Sequence, residues 1–140
     1  MLEPNSSAVV MFVDISGSVA LFDTHGNERA LELTNQCIEQ MQTVIETNNG
    51  TVIKREGDGI LCWFEQPASA FLTAHFLCSQ RVSENQHYLP IHGGFHHGPI
   101  INQNGDVFGD AVNVASRLAH IAKKDEFIFS EDIYAQLPKQ

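Results

Sequence analysis

Two aspartates carry the first chemical suggestion in this sequence. Asp14 closes the apolar run Ala8-Val-Val-Met-Phe-Val13 and is followed by the small residues Ser16-Gly17-Ser18, while Asp58 sits in Gly57-Asp58-Gly59 between two β-prone runs. Each carboxylate thus stands at a strand edge beside residues that let a ligand approach the backbone, an arrangement that suits Mg²⁺ with its preference for oxygen donors and substrate phosphates. Taken singly, either aspartate is equally a loop cap. The turn at Ser16-Gly17-Ser18 can point several main-chain N–H groups at an anion. In GDAVNVASRLAHIA, Asn113 and Arg117 are four residues apart and project from one helix face. An amide and a planar guanidinium aimed at one point can orient a hydroxyl and bind a phosphate, although the same two residues also make an ordinary surface pair. His92, His96 and His97 crowd IHGGFHHG. In a strand His96 and His97 face opposite ways, so they do not chelate as a pair and are assigned structural or surface roles.

The elements that must hold these residues follow from periodicity. A buried strand over Ala8–Val13 presents Asp14. Apolar residues at three- and four-residue spacing from Ala30 to Ile45 predict a long amphipathic helix from about Gly26 to Asn48, stopped at Asn49-Gly50. Thr51 to Glu65 reads as a hairpin pivoting on Gly57-Asp58-Gly59. Pro67 opens a helix running to about Glu84, and Leu89 to His97 is a third β region. Gly98-Pro99 breaks the chain, Ile100-Ile101 begins a short strand, and Asn102 to Gly105 is a turn. A helix from about Asp110 to Lys124 uses Val112, Val114, Ala115, Leu118 and Ile121 as its packed side. Phe127–Phe129 is a strand, and Ser130 caps a short last helix. The order β-α-β-β-α-β-α-β is that of an α+β, ferredoxin-like βαββαβ sandwich with an additional C-terminal helix and strand, its antiparallel sheet carrying helices on one face.

Composition narrows the partners. The 140 residues are 43% hydrophobic, enough for one domain with a real core. Eight Lys+Arg against seventeen Asp+Glu give a net charge of −9, which argues against a nucleic-acid surface. A carboxylate about 5 Å from a phosphate charge repels it by roughly 3 kcal/mol at an effective dielectric near 20, so a phosphate ligand here calls for a divalent cation. No signal-peptide pattern or bilayer-length apolar run is present, and the expected location is cytoplasmic, without membrane contact by this segment. Cys37, Cys62 and Cys78, widely spaced in apolar sequence, read as reduced core thiols.

Read together, FVDISGS with Asp14, KREGDG with Lys54 and Asp58, GFHHG at a strand end, and DVFGDAVNVASRL with Asp106, Asn113 and Arg117 resemble the catalytic domain of the class III nucleotidyl cyclases, the adenylate and guanylate cyclases. The resemblance runs from about Val9 to the chain end, so 1–140 is expected to be one such domain. It implies that Asp14 and Asp58, helped by the Ile15 carbonyl, hold two Mg²⁺ or Mn²⁺ ions, and that backbone amides at Gly17, Ser18 and Val19 hold the terminal phosphates. It further implies that Lys54 and Asp106 read the adenine edge, that Asn113 orients the ribose, and that Arg117 stabilises charge on the α-phosphate.

The implied reaction converts ATP to 3′,5′-cyclic AMP and pyrophosphate. Guanylate cyclases of the family carry Glu and Cys-like residues where Lys54 and Asp106 stand, which sets ATP above GTP. In a monomer Lys54 would simply pair with Asp58 across the turn, but an ammonium there competes with a metal. The resemblance instead implies a homodimer with two composite sites, metal carboxylates from one subunit and base-reading residues from the other. The alternative readings are a weakly active or inactive nucleotide-binding regulatory module and a guanylate cyclase; the Gly-Gly-Asp/Glu-Glu-Phe signature of diguanylate cyclases does not occur. Three departures stand out: Val19 replaces a hydroxyl residue, Pro99–Phe108 is shorter than the arm that helps relatives dimerise, and the chain ends at Gln140 where the family usually continues into a further strand pair. A truncated domain is therefore expected, with its regulatory domain or partner outside this segment.

Overall fold

The structure is a computed structural model in which residues 5–83 and 89–134 are described. The chain runs β1 (Asn5–Ile15), α1 (Ser18–His25), α2 (Asn27–Thr47), β2 (Thr51–Glu56), β3 (Gly59–Phe64), α3 (Pro67–Ser83), β4 (Ile91–Gln103), β5 (Asp106–Phe108), α4 (Asp110–Ile121), β6 (Glu126–Phe129) and α5 (Glu131–Tyr134). The strands lie in the order β2-β3-β1-β4-β5, with β6 added parallel to β4 and every other pairing antiparallel. The first four positions are the ferredoxin-like frame that the element order predicts.

β1 is central and buried on both faces, which is why it reads as an unbroken apolar run rather than an alternation. Val9, Met11, Val13 and Ile15 enter a core shared with Leu33, Cys37, Ile38, Met41 and Ile45 of α2 and Ala70, Ala74 and Leu77 of α3. Ala8 and Val10 turn the other way, into a second core with Leu61, Ile100, Val107 and the α4 residues Ala111 and Ala115. Helices therefore cover both faces, where the element order alone suggested one. The reason lies in α4. Its packed stripe is Ala111, Ala115 and Ala119, not the larger Val and Ile side chains expected, and Ile121 is mostly exposed. Small residues let the helix approach β4 so closely that a β-carbon on Gly94 would collide with the main-chain nitrogen of Ala119.

Three further differences have local causes. α1 occupies a stretch running on from the Ser16-Gly17-Ser18 turn, to which periodicity assigns no element; none of its residues is fully buried, so it has no strong apolar stripe to announce it. β4 continues through Gly98-Pro99 instead of breaking. β6 pairs with residues 92–95 and β5 with 101–103, so Pro99 falls where β4 has no strand on its outer side, and its missing N–H costs no ladder bond there. Asn104 and Gly105 both take positive φ, 54° and 77°, forming the tight turn that returns the chain as β5, a strand the sequence did not signal. α2, α3, the β2–β3 hairpin and β6 lie where periodicity puts them, and the far end of the expected α3 at Glu84 is outside the described residues. No helix among the described residues is long and apolar enough to cross a membrane. The three cysteines are reduced thiols outside any disulfide; Cys37 and Cys62 are buried, and burial pushes the Cys62 thiol far up, which fits inert core residues.

Candidate active site

The acidic residues meet at one end of the sheet. Asp14, on the last turn of the pleat in β1, lies opposite Gly59 of β3 on one side and His92 of β4 on the other. The Ile15 N–H donates to the Asp58 carbonyl at 3.1 Å, which ties the end of β1 to the β2–β3 turn. That turn needs the left-handed backbone of Gly57, at φ 59°. Gly59 has a separate reason: a β-carbon there would overlap Asp14 Oδ1, so only glycine lets this carboxylate lie across β3. The Asp14 carboxyl is pushed up from its ordinary range, first by burial; His92 opposes this, while the charges of Asp58 and Glu56 add to it. Half-buried carboxylates that repel one another favour a cation between them. Among the described residues no three His, Cys, Asp or Glu side chains converge on a metal position. Two aspartates and the Ile15 carbonyl are hard oxygen donors of the kind Mg²⁺ or Mn²⁺ accepts when water and phosphate oxygens complete its shell.

The loop after β1 is built for main-chain donors. Gly17 adopts φ 70°, ψ 32° and α1 starts at Ser18. The first helical N–H with a helix carbonyl to meet is that of Leu21, donating to Gly17 O at 3.2 Å, so the amides of Ser18, Val19 and Ala20 open the helix without one. The Val19 side chain is 76% exposed and contributes no hydroxyl. Ser16 is fastened twice to the start of β4: its N–H donates to Pro90 O at 2.7 Å, and its hydroxyl lies 2.6 Å from His92 Nδ1.

Lys54 and Asp106, 52 residues apart, form an ion pair with Nζ 3.0 Å from Oδ2. A register shift between Val52 and Lys54 sets Lys54 opposite Leu61, on the α4 side of the sheet. Asp106 Oδ1 also accepts the Val107 N–H at 2.8 Å. The shared hydrogen bond raises the Lys54 pKa and holds the Asp106 carboxyl below the usual range. Lys54 thus turns to Asp106 and away from Asp58. Asn113 and Arg117 project to solvent from α4, and among the described residues neither side chain makes a hydrogen bond or ion pair. His96 and His97 do face opposite ways, opposite Val10 and Val9; His96 is buried against Ser130, Nδ1 to Oγ 2.6 Å. The structure brings together Asp14, Ile15 and Asp58 at one point and Lys54 with Asp106 at another. Among the described residues it leaves Asn113 and Arg117 unengaged. The Ser16–His92 contact had no sequence signal, since it depends on which β4 residue falls opposite Asp14.

Fold and strand-end carboxylates together define a class with solved counterparts. An adenylate/guanylate cyclase/hydrolase from Silicibacter pomeroyi matches with a TM-score of 0.77 at 25% identity, over 95% of this chain and 80% of that one. The dimeric guanylyl cyclase domain of the RhoGC fusion protein from Blastocladiella emersonii shares the fold, with a TM-score of 0.85 at 18% identity over 96% of this chain and 85% of its own. In sequence, an adenylate cyclase of Streptomyces coelicolor is 27% identical over 128 residues, covering 89% of this chain and 33% of the relative. The model of the adenylate and guanylate cyclase catalytic domain matches residues 2–140, and the chain belongs to that family. It spans about a fifth to a third of the length of the bacterial relatives it matches.

Proposed function

We propose that residues 1–140 form one catalytic domain that converts ATP to 3′,5′-cyclic AMP and pyrophosphate, working as a homodimer with composite sites. The observation that carries this reading is the Lys54–Asp106 pair. An ammonium donor beside a carboxylate acceptor complements adenine, whose N1 accepts and whose exocyclic N6 donates. Guanine presents the reverse order, a carbonyl and ring N–H, and leaves both groups mismatched. Asp14, Asp58 and the Ile15 carbonyl would hold two Mg²⁺ or Mn²⁺ ions, which when bound neutralise the triphosphate and acidify the attacking hydroxyl. The amides of Gly17, Ser18 and Val19 take the terminal phosphate oxygens. Asn113 orients the ribose, and the Arg117 guanidinium faces the α-phosphate, where negative charge builds. The ribose 3′-oxygen bonds to the α-phosphorus as the bond to the bridging oxygen of the β-phosphate breaks; the hydroxyl proton leaves to water and pyrophosphate departs.

Within one chain Asn113 and Arg117 have no partner among the described residues, and Lys54 is committed to Asp106 and not to the acidic end. Both facts support a site completed across a two-fold axis. Regulatory input belongs to a domain or partner outside this segment. The test mixes Lys54→Ala with Asp58→Ala, each inactive alone. Random exchange makes about half the dimers mixed, with one intact site of two, so about a quarter of the parent cyclic AMP output should return. Demonstrated mixed dimers that stay inactive reject the composite site. A parent enzyme that turns over GTP faster than ATP rejects the adenine reading.

A further inference from the structure

We propose that His92 is a positioning residue that locks the phosphate-binding loop onto the metal-carboxylate end of β1. The proposal rests on the cyclase reading above and adds a residue to it. Three contacts converge. His92 lies directly opposite Asp14 in the β1–β4 ladder, its Nε2 3.8 Å from Asp14 Oδ2. Its other ring nitrogen, Nδ1, is 2.6 Å from Ser16 Oγ. The Ser16 N–H is held by Pro90 O, two residues before His92 on the same strand entry.

The ring bridges two parts of the site. Its Nδ1 is within hydrogen-bond distance of the Ser16 hydroxyl, and its Nε2 edge faces the metal carboxylate across 3.8 Å, a gap that allows a weak electrostatic contact and no direct hydrogen bond. Asp14 is confined from both sides, by Gly59 under Oδ1 and by His92 beside Oδ2. Ser16 stands between the Ile15 carbonyl and the Gly17–Val19 amides. Fixing residue 16 therefore sets the phosphate donors relative to the metal ligands, much as an outer partner orients a ligand in metal sites.

The test is a double-mutant cycle with Ser16→Ala, His92→Phe and the pair, assayed with Mn²⁺-ATP. Each single change should raise KM by about five- to ten-fold with kcat within about three-fold, and the double variant should be no worse than the worse single one, because both remove one shared bond. Additive losses overturn the proposal. His92→Asn, which keeps a polar atom near the Nδ1 position, should recover most of the KM, and a KM equal to that of His92→Phe counts against the lock. Nitrogen-15 NMR of the metal-free protein gives a readout independent of turnover. The His92 Nδ1 resonance should shift in Ser16→Ala, which removes its 2.6 Å partner, and no response to Ser16→Ala overturns it. Absence of cyclic AMP formation by the parent protein would instead defeat the cyclase reading and leave the NMR result standing.

Discussion

In the adenine reading proposed above, Lys54 and Asp106 set the nucleotide preference by hydrogen-bond polarity. Reversing that polarity should reverse the choice: Lys54→Glu combined with Asp106→Cys is expected to lower the ATP-to-GTP ratio of kcat/KM by at least about a hundred-fold, since each unpaired polar contact costs roughly ten-fold or more. The pair also predicts a flat pH response. Asp106 has its folded pKa depressed, so its contribution is full above the ordinary aspartate value of 3.8 and is lost only as pH falls through the lower folded value. Lys54 has its pKa raised, so its contribution is full below the ordinary lysine value of 10.5 and fades above it. Between those limits nucleotide preference measured against pH should not move. The two residues were legible as a pair only through their motifs, KREGDG and DVFGDAV. Spacing gave no hint of their contact, because 52 residues and a register shift in β2 intervene.

Among the elements, α4 depends on tight contact. With Gly94 replaced by Ala, the new methyl meets the Ala119 main chain, which cannot move as a side-chain tip would. Gly94→Ala should cost about 1–3 kcal/mol of stability, read by denaturant midpoint, and should lower kcat by moving Asn113 and Arg117. α2 was readable because Ala30, Leu33, Cys37, Ile38, Met41, Val44 and Ile45 form a stripe, although Leu31, an apolar residue of the same run, is exposed. α1 was not readable, because an element with no fully buried residue and only Leu21 packed against the core leaves little period in its sequence. The side of the sheet on which α4 packs was equally hidden: β1 is apolar on both faces, and its sequence does not say which helix covers which. Asp14 and Asp58 were identifiable as strand-end acids, whereas the part played by His92 needed the β1–β4 register.

At the scale of the molecule, the short β4–β5 hairpin presents Ile101 and Phe108 as a cross-strand pair, each about half exposed. Two such side chains make a small contact, so dimers through this region should be weak. Specific activity is expected to fall on dilution of the parent protein and to fall at higher concentration in Phe108→Ser, with sedimentation velocity following the same order.

β2 and β5 are the outermost members of the strand order, yet Lys54 and Asp106 join them. The sheet is therefore rolled until its rims meet, like a cuff fastened by a single stud. On the adenine reading proposed above, a purine that takes up both charged groups would unfasten that stud, which would make the curvature of the sheet a gauge of whether substrate is aboard. Spin labels on β2 and β5 should lie farther apart with a non-hydrolysable ATP analogue than without it, and an unchanged separation would mean the rims stay fastened while the purine is read.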